Sequence, residues 1–219
     1  IRYEHGALAV GATRGDGATG DNITANIKTV RSIPLSAPGA PEVFEVRGEA
    51  YLPVEAFRKL NAQRETEGEE PFANPRNATA GSLKQLDSRV VARRPLAAVF
   101  YAVGETRGIA FTQHAEVLEK LRSLGFPTPQ HWWRCRDIEE VIARAQELEK
   151  LEATLPYEID GAVVKVNNLD QWKRLGTTAK APRFAIAFKY AHEQAQTRLT
   201  AITIQVGRTG TLTPVAELE

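Results

Sequence analysis

The stretch YEIDGAVVKVNN, residues 157–168, places a lysine inside a short apolar strand. Its β-branched run, which an Asp-Gly pair opens, predicts a strand over Ile159–Val166. Because side chains alternate between the two faces of a strand, Val163 and Lys165 lie on one face and Asp160 lies on the other. An ammonium group on an inward strand face costs free energy unless it meets a negative partner.

A second apolar strand carries a lysine in the same way. The run FAIAFKY, residues 184–190, predicts a strand that Lys189 interrupts near its end. One such lysine also fits a side chain that reaches out to solvent, or the protected edge of a sheet. Two such strands in one chain, one of them preceded by Asp160, favour an anionic ligand held between sheets.

Helical and strand patterns alternate along the chain without the regular strand–helix–strand order of a parallel sheet. Apolar spacing with capping or stop residues predicts three helices, at 54–68, 111–126 and 137–155. The third begins at Asp137 with Glu140 three residues later, which is the pattern of a capping box. Further strands are predicted at Val43–Val46 and Ala97–Val103. The fold class that follows is α+β with mostly antiparallel sheet.

Both ends of the chain fall inside predicted hairpins. Strands at 1–3 and 7–12 flank a turn at 4–6, and two strands near the C-terminus flank a turn at Gly207–Gly210. A single hairpin cannot bury a hydrophobic core. We therefore expect the chain to be an internal piece of a longer protein.

Charge and cysteine content exclude several classes of protein. The chain has 28 basic and 27 acidic residues, so any contact with nucleic acid must depend on local clustering. The single cysteine, Cys135, excludes an internal disulfide framework and a cysteine-built zinc site within these 219 residues. It suits a reducing compartment, and no apolar run approaches the roughly 20 residues that span a bilayer. We expect a cytoplasmic monomer without a membrane partner.

Two glycine-containing segments carry candidate ligand residues. In EVRGE, Glu49 emerges from a strand directly after a glycine, although an ordinary exposed acid at a strand end has the same pattern. The loop Gly11–Asn22 holds four glycines, Arg14 and two aspartates. Glycine allows backbone to approach a ligand and arginine can hold a phosphate, but a long hairpin connection has a similar composition.

The segment 72–95, FANPRNATAGSLKQLDSRVVARRP, is locally basic. It contains five basic residues and a single acid, Asp87; the basic residues are Arg76, Lys84, Arg89, Arg93 and Arg94. The small residues at 77–82 would let a phosphate backbone come close. A solvated basic face is the alternative, but the clustering within a neutral chain favours a contact with a polyanion.

Six stretches, in order along essentially the whole chain, resemble the bacterial NAD⁺-dependent DNA ligases in their nucleotidyltransferase (adenylation) domain. They are ATRGDG, EVRGE, NPRNATAGSLKQLD, EIDGAVVKVN, APRFAIAFKY and QVGRTGTLTPVA. The second, fourth and fifth also look like the general motifs of covalent nucleotidyltransferases, including ATP-dependent ligases and mRNA capping enzymes. The third and the last are much more particular to the NAD⁺ enzymes.

The resemblance implies a nucleotidyltransferase fold of two antiparallel sheets with helices around a nucleotide cleft. It implies that residues 1–196 form an adenylation domain without its N-terminal part, and that 197–219 begin an OB-fold. The implied activity is the sealing of 5′-phosphate/3′-hydroxyl nicks in duplex DNA through lysyl-AMP and DNA-adenylate intermediates. NAD⁺ would be the AMP donor and Mg²⁺ (or Mn²⁺) the metal, with zinc in a part of the ligase outside this chain.

The same resemblance assigns nucleotide contacts residue by residue. Tyr101 would stack on one face of the adenine and Val163 on the other. Lys165 would reach the edge of the ring or the nearby adenylate. Glu49 would hold the ribose hydroxyls, and Arg14 would lie beside the ribose.

It also assigns the phosphate, metal and DNA contacts. Asp160 would sit near the catalytic Mg²⁺, and Lys189 would contact the α-phosphate. Arg76 and Lys84 would touch the nicked DNA near its 5′-phosphate. Fixed cations suit this chemistry because phosphoryl-type transfer depends mainly on positioning and electrostatics.

The chain departs from the family pattern at two points. The nucleophilic lysine of the family lies in a Lys-x-Asp-Gly motif, which these 219 residues do not contain. We expect that motif upstream of Ile1, and we expect the chain as printed not to form lysyl-AMP. At position 84 the family usually has arginine, and lysine keeps the charge without the bidentate fork.

Two other classes stay open. An ATP-dependent ligase or capping-type transferase would share Glu49, Asp160, Lys165 and Lys189, but it would not be expected to carry NPRNATAGSLKQLD. A non-enzymatic module that binds a nucleotide or DNA is the second class. A lysine followed by x-Asp-Gly in the upstream residues would decide for catalysis.

Overall fold

The computed structural model describes residues 1–17, 19–178, 181–191, 196–207 and 210–219. They divide into two units, Ile1–Lys189 and Tyr190–Glu219, and each is described by itself. Every strand pairing in the described residues is antiparallel. In the same residues, no helix combines the length and apolar content that a membrane span requires.

The first unit contains a four-stranded sheet in the order β2-β1-β3-β4. Its strands are β1 (Arg2–Glu4), β2 (Ala7–Val10), β3 (Val43–Tyr51) and β4 (Ala97–Arg107). His5 and Gly6 close the β1–β2 hairpin with φ values of 48° and 78°, which glycine tolerates best. The predicted N-terminal hairpin and the strands at 43–46 and 97–103 are therefore confirmed, and the last two extend further than predicted.

Seven α-helices are described in this unit. They are α1 (Thr24–Ile27), α2 (Val54–Thr66), α3 (Pro75–Leu83), α4 (Ser88–Ala92), α5 (His114–Ser123), α6 (Ile138–Leu151) and α7 (Leu169–Leu175). The three predicted helices are α2, α5 and α6. At the start of α6, Asp137 Oδ1 accepts from Glu140 N at 2.8 Å, whereas the Glu140 carboxylate accepts from Arg136 N. The predicted capping box is thus half formed.

The core of the first unit lies against the four-stranded sheet. Phe126, just after α5, packs edge-to-face against Tyr3 on β1 at 5.1 Å and against Phe100 on β4 at 5.4 Å. Leu121 of α5 is fully buried beside them. Because burial of each large apolar side chain contributes about 1.5–3 kcal/mol, these contacts hold α5 firmly on β4.

Two smaller sheets complete the described chain. β5 (Gly161–Lys165) pairs with β6 (Ala185–Lys189) in the first unit, and β7 (Leu199–Val206) pairs with β8 (Leu212–Leu218) in the second. The turn predicted at Gly207–Gly210 includes residues 208 and 209, which lie outside the described residues. The predicted α+β class with antiparallel sheets is confirmed, whereas the domain boundary at 196/197 stays a prediction.

Candidate functional site

Tyr101 occupies a β-bulge in β4. In the pairing of β3 with β4, Arg47 lies opposite Ala102 and the next residue, Gly48, lies opposite Phe100. Tyr101 is therefore the extra residue, which leaves the regular ladder. A bulge re-aims a side chain and bends its strand, so this irregularity sets the direction of the phenol.

Gly48 is required on the strand opposite the bulge. A Cβ at this position would lie 2.2 Å from the backbone oxygen of Val99 and 2.9 Å from Cδ1 of Phe100. No side chain fits at those distances. The glycine of EVRGE is thus explained by close backbone approach, and it places Glu49 beside the bulge.

The phenol of Tyr101 and the ammonium of Lys165 lie together. Lys165 Nζ is 5.0 Å from the centroid of the Tyr101 ring. Burial raises the pKa of Tyr101, as does the nearby charge of Glu49, while Arg14 acts in the opposite direction. Burial lowers the pKa of Lys165, so its ammonium has lost part of its hydration. Four of the predicted nucleotide contacts therefore lie near one another, with Lys165, Glu49 and Arg14 around the Tyr101 ring.

Val163 is the fifth predicted nucleotide contact. It lies two residues before Lys165 on β5 and is 63% exposed. Strand alternation places it on the same face as Lys165. The side chain is thus accessible to a ligand.

Asp160 and Lys189 form a direct ion pair. Lys189 Nζ donates to Asp160 Oδ2 at 2.6 Å, and Lys189 lies opposite Gly161 in the β5–β6 pairing. A Cβ on Gly161 would lie 2.1 Å from the backbone oxygen of Phe188, so glycine is required beside Asp160. The hydrogen bond from Lys189 holds the pKa of Asp160 below its ordinary value, and the charge of Arg76 acts in the same direction.

The donor set near Asp160 fits a metal held mainly by a substrate. Across the described ranges, no three His, Cys, Asp or Glu side chains lie close enough together to hold a metal ion. Mg²⁺ commonly uses one or two carboxylates and takes its other ligands from phosphates and water. A single exposed carboxylate that is ionised at neutral pH meets this requirement.

The basic segment forms α3, α4 and their connection. Asn74 caps α3 by accepting from Asn77 N at 2.8 Å, and Asp87 caps α4 by accepting from Arg89 N at 2.9 Å. Arg94 Nη1 donates to the buried hydroxyl of Ser82 at 2.6 Å. Its guanidinium also lies over the ring of Phe72, at 5.3 Å from the centroid. Arg94, two residues after the end of α4, therefore ties the end of this segment to α3.

The two predicted DNA contacts lie on exposed parts of the same segment. Arg76 is exposed in the first turn of α3. Lys84 follows the last residue of α3, and its ammonium is 3.9 Å from the Asp21 carboxylate. Lys84 also borders a groove lined by residues 21–26, 28 and 83–86. Of these two residues, Arg76 is the one whose charge helps to lower the pKa of Asp160.

Sequence patterns did not predict two polar residues beside this site. His114, the first residue of α5, has Nε2 at 2.8 Å from the backbone oxygen of Tyr101. Asn167, two residues beyond Lys165, accepts at Oδ1 from Ala115 N at 3.0 Å. The only sequence signal was a pair of asparagines after the strand, which is also an ordinary strand end.

Known proteins match the chain over most of its length. Residues 1–193 match the family model of the NAD-dependent DNA ligase adenylation domain. Three similar curated relatives are the DNA ligases of Methylacidiphilum infernorum (53% identical, 99% of this chain and 32% of the relative), Desulforudis audaxviator (53%, 100% and 33%) and Thermotoga petrophila (52%, 100% and 32%). The chain spans about a third of the length of these relatives.

Proposed function

The chain belongs to the family of NAD-dependent DNA ligase adenylation domains, and we propose that its parent protein seals nicks in duplex DNA with NAD⁺ as the AMP donor. The observation that carries the proposal is the neighbourhood of Tyr101, Lys165, Glu49 and Arg14. An aromatic face can stack on an adenine, a carboxylate can accept from ribose hydroxyls, and an ammonium and a guanidinium can donate to ring nitrogens or to an adenylate phosphate. We propose a cytoplasmic monomer.

We assign the adenosine half of the nucleotide to this neighbourhood. Tyr101 stacks on the adenine, Val163 covers the opposite face, and Lys165 donates to the edge of the ring or to the adenylate. Glu49 accepts from the ribose hydroxyls, and Arg14 lies beside the ribose. The partial burial of Tyr101 and Lys165 supports this assignment, because loss of water strengthens each polar contact with the ligand.

We assign the phosphate chemistry to Asp160 and Lys189. The nucleophilic lysine forms a bond to the α-phosphorus of NAD⁺, and the bond to nicotinamide mononucleotide breaks. Lys189 neutralises charge on the α-phosphate oxygens during this transfer. Asp160 would hold Mg²⁺, which supplies further neutralisation of phosphate charge when bound. The exposure of the Asp160 carboxylate supports this role, because Mg²⁺ is bound through one or two carboxylates and keeps part of its water shell.

We assign the later steps to nicked DNA held by Arg76 and Lys84. AMP passes from the lysine to the 5′-phosphate of the nick, and the 3′-hydroxyl then displaces AMP. The exposure of Arg76 in the first turn of α3 and of Lys84 just after that helix supports this assignment, because phosphate contacts need accessible cations. Residues 197–219 are assigned to the start of an OB-fold, and zinc to a part of the ligase outside this chain.

The attacking lysine is not among these 219 residues, because no Lys-x-Asp-Gly sequence occurs in them. We place it in a segment that precedes Ile1 in the parent protein. The chain alone is then inactive in the first step. The test must therefore use the full-length protein.

Intact-protein mass spectrometry tests the proposal. The full-length protein is incubated with Mg²⁺ and either NAD⁺ or ATP, and the 219-residue chain serves as the control. We expect a covalent AMP adduct from NAD⁺ alone, and none on the control. An adduct from ATP instead would move the protein to the ATP-dependent class, and no adduct from either nucleotide would refute catalysis.

A further inference from the structure

We propose that His114 is a positioning residue that sets the separation of Tyr101 and Lys165, and so controls affinity for the nucleotide. The inference rests on the proposed function of those two residues as adenosine contacts. Tyr101 belongs to the four-stranded sheet, and Lys165 belongs to the two-stranded sheet. A slot built from two sheets needs a connection that fixes its width, and the N-terminus of α5 provides one.

The first link joins α5 to the bulge. His114 Nε2 lies 2.8 Å from the backbone oxygen of Tyr101. A carbonyl oxygen only accepts, so Nε2 carries the hydrogen. Four residues after the end of α5, Pro127 O accepts from Phe100 N at 2.8 Å. The helix and the segment that follows it therefore both contact backbone groups at the bulge.

The second link joins the same end of α5 to the segment after Lys165. His114 N donates to Asn167 O at 2.8 Å, and Ala115 N donates to Asn167 Oδ1 at 3.0 Å. Asn167 Nδ2 in turn donates to Gln113 Oε1 at 2.9 Å. Three hydrogen bonds thus fix the chain two residues beyond Lys165.

The third link reaches both strands of the smaller sheet through Trp172. The His114 ring lies 5.4 Å from the Trp172 ring, which stacks on Phe184 at 4.0 Å with an interplanar angle of 7°. Trp172 Nε1 donates to Val166 O at 2.6 Å. Val166 follows β5 and Phe184 precedes β6, so the tryptophan holds the ends of both strands.

The electrostatic setting suits this role. Burial lowers the pKa of His114 and the charge of Lys165 acts in the same direction, while the hydrogen bond to Tyr101 O opposes them more weakly. The ring is therefore neutral at pH 7, with its hydrogen on the nitrogen that faces Tyr101. A neutral ring can hold the bulge without adding a second cation beside Lys165.

Removal of the ring should loosen the slot without removing any group that touches the nucleotide. His114→Ala leaves the Tyr101 oxygen without this donor and opens a space beside Trp172. Loss of one such hydrogen bond predicts a rise in the KM for NAD⁺ of about tenfold. The rate of adduct formation at saturating NAD⁺ should change by only about twofold, because the reacting groups are unchanged.

The test measures AMP-adduct formation by the full-length protein against NAD⁺ concentration. His114→Gln, whose amide nitrogen can replace Nε2 as the donor, should restore KM to within about twofold of wild type. His131→Ala is the matched control, because His131 lies against Trp133 and not beside Tyr101. Its KM should equal that of wild type.

The outcomes separate this inference from the proposed function. No adduct from the wild-type protein would refute the proposed function, and with it the premise of the inference. A wild-type adduct together with an unchanged KM in His114→Ala would overturn the inference alone, as would equal loss in the alanine and glutamine variants. Thermal melts accompany each variant. If His114→Ala is unfolded at the assay temperature, His114→Leu replaces it, because leucine fills the space beside Trp172 without offering a donor to Tyr101 O, and a normal KM in that variant would overturn the inference.

Discussion

Lys189 Nζ donates to Asp160 Oδ2 at 2.6 Å, and both side chains are more than half exposed. Exposed ion pairs contribute about 1 kcal/mol or less, so a ligand can separate this one at small cost. A phosphate bound to Lys189 would replace the Asp160 carboxylate as its partner. A metal bound to Asp160 would replace the Lys189 ammonium. Under the proposed function, the pair would keep two groups of opposite charge in place until a phosphate and a metal separate them.

The first prediction concerns the titration of Asp160. Lys189→Met should raise the pKa of Asp160 toward its ordinary value, and Arg76→Met should raise it less, because the hydrogen bond from Lys189 is the larger cause of the depression. Carbon-13 NMR of the carboxyl groups measures both changes. Since the folded pKa is lowered, the pair adds stability above the ordinary aspartate pKa and loses it as the pH falls through the folded value. An unchanged Asp160 titration in Lys189→Met would contradict the ion pair.

The second prediction compares two glycines. Gly48→Ala should destabilise the fold by about 1–3 kcal/mol, because its Cβ would overlap the backbone oxygen of Val99. Gly81→Ala is the control, since a Cβ there meets nothing within 4 Å in α3. That change should stabilise the fold by about 0.5–1 kcal/mol, the difference between the two residues within a helix. Urea denaturation of both variants gives the sign of the change in the free energy of unfolding. Equal changes in the two variants would refute the role assigned to Gly48.

Strong periodicity and clear stop residues made several elements predictable. Helices α2, α5 and α6 have spaced apolar residues, and glycine or a capping aspartate bounds them. Helix α3 was not predicted, because its residues PRNATAGSL carry hardly any apolar face. The signals that remained were Asn74 as a cap and Pro75 at the first helical position. Packing and caps, rather than periodicity, determine that helix.

The candidate site was predictable to a different degree. Lys165 and Lys189 could be identified from the sequence because each places a charge within an apolar strand. Their neighbours in the structure are set by the pairing of β5 with β6. Tyr101 entered only through the family resemblance. The part played by His114 depends on a bulge in β4, and a bulge reflects the register of two strands that are distant in sequence. No local pattern contains that register.

The third prediction separates two adjacent arginines. Arg94→Ala should cost about 1.5–3 kcal/mol of stability, because its guanidinium holds the buried Ser82 hydroxyl and covers Phe72. Arg93→Ala should change stability by less than about 0.5 kcal/mol, since this residue is exposed. Thermal unfolding by circular dichroism measures both. If the two variants melted alike, the joint between α3 and α4 would not depend on Arg94.

The fourth prediction is that Lys165→Met stabilises the fold. Burial lowers the pKa of Lys165, so the charged form is disfavoured in the folded state and stability rises with pH between the folded pKa and 10.5. Methionine has similar length and no charge, and it should raise the free energy of unfolding at pH 7 by about 1 kcal/mol despite the lost contact with Tyr101. Lys189→Met is the control and should give no such gain, because its ammonium is exposed. Denaturation at pH 7 and pH 10 would measure the free energy of unfolding of Lys165→Met and of wild type. The difference between the two proteins should be smaller at pH 10. A difference that is independent of pH would show that packing, and not charge burial, sets the stability at this position.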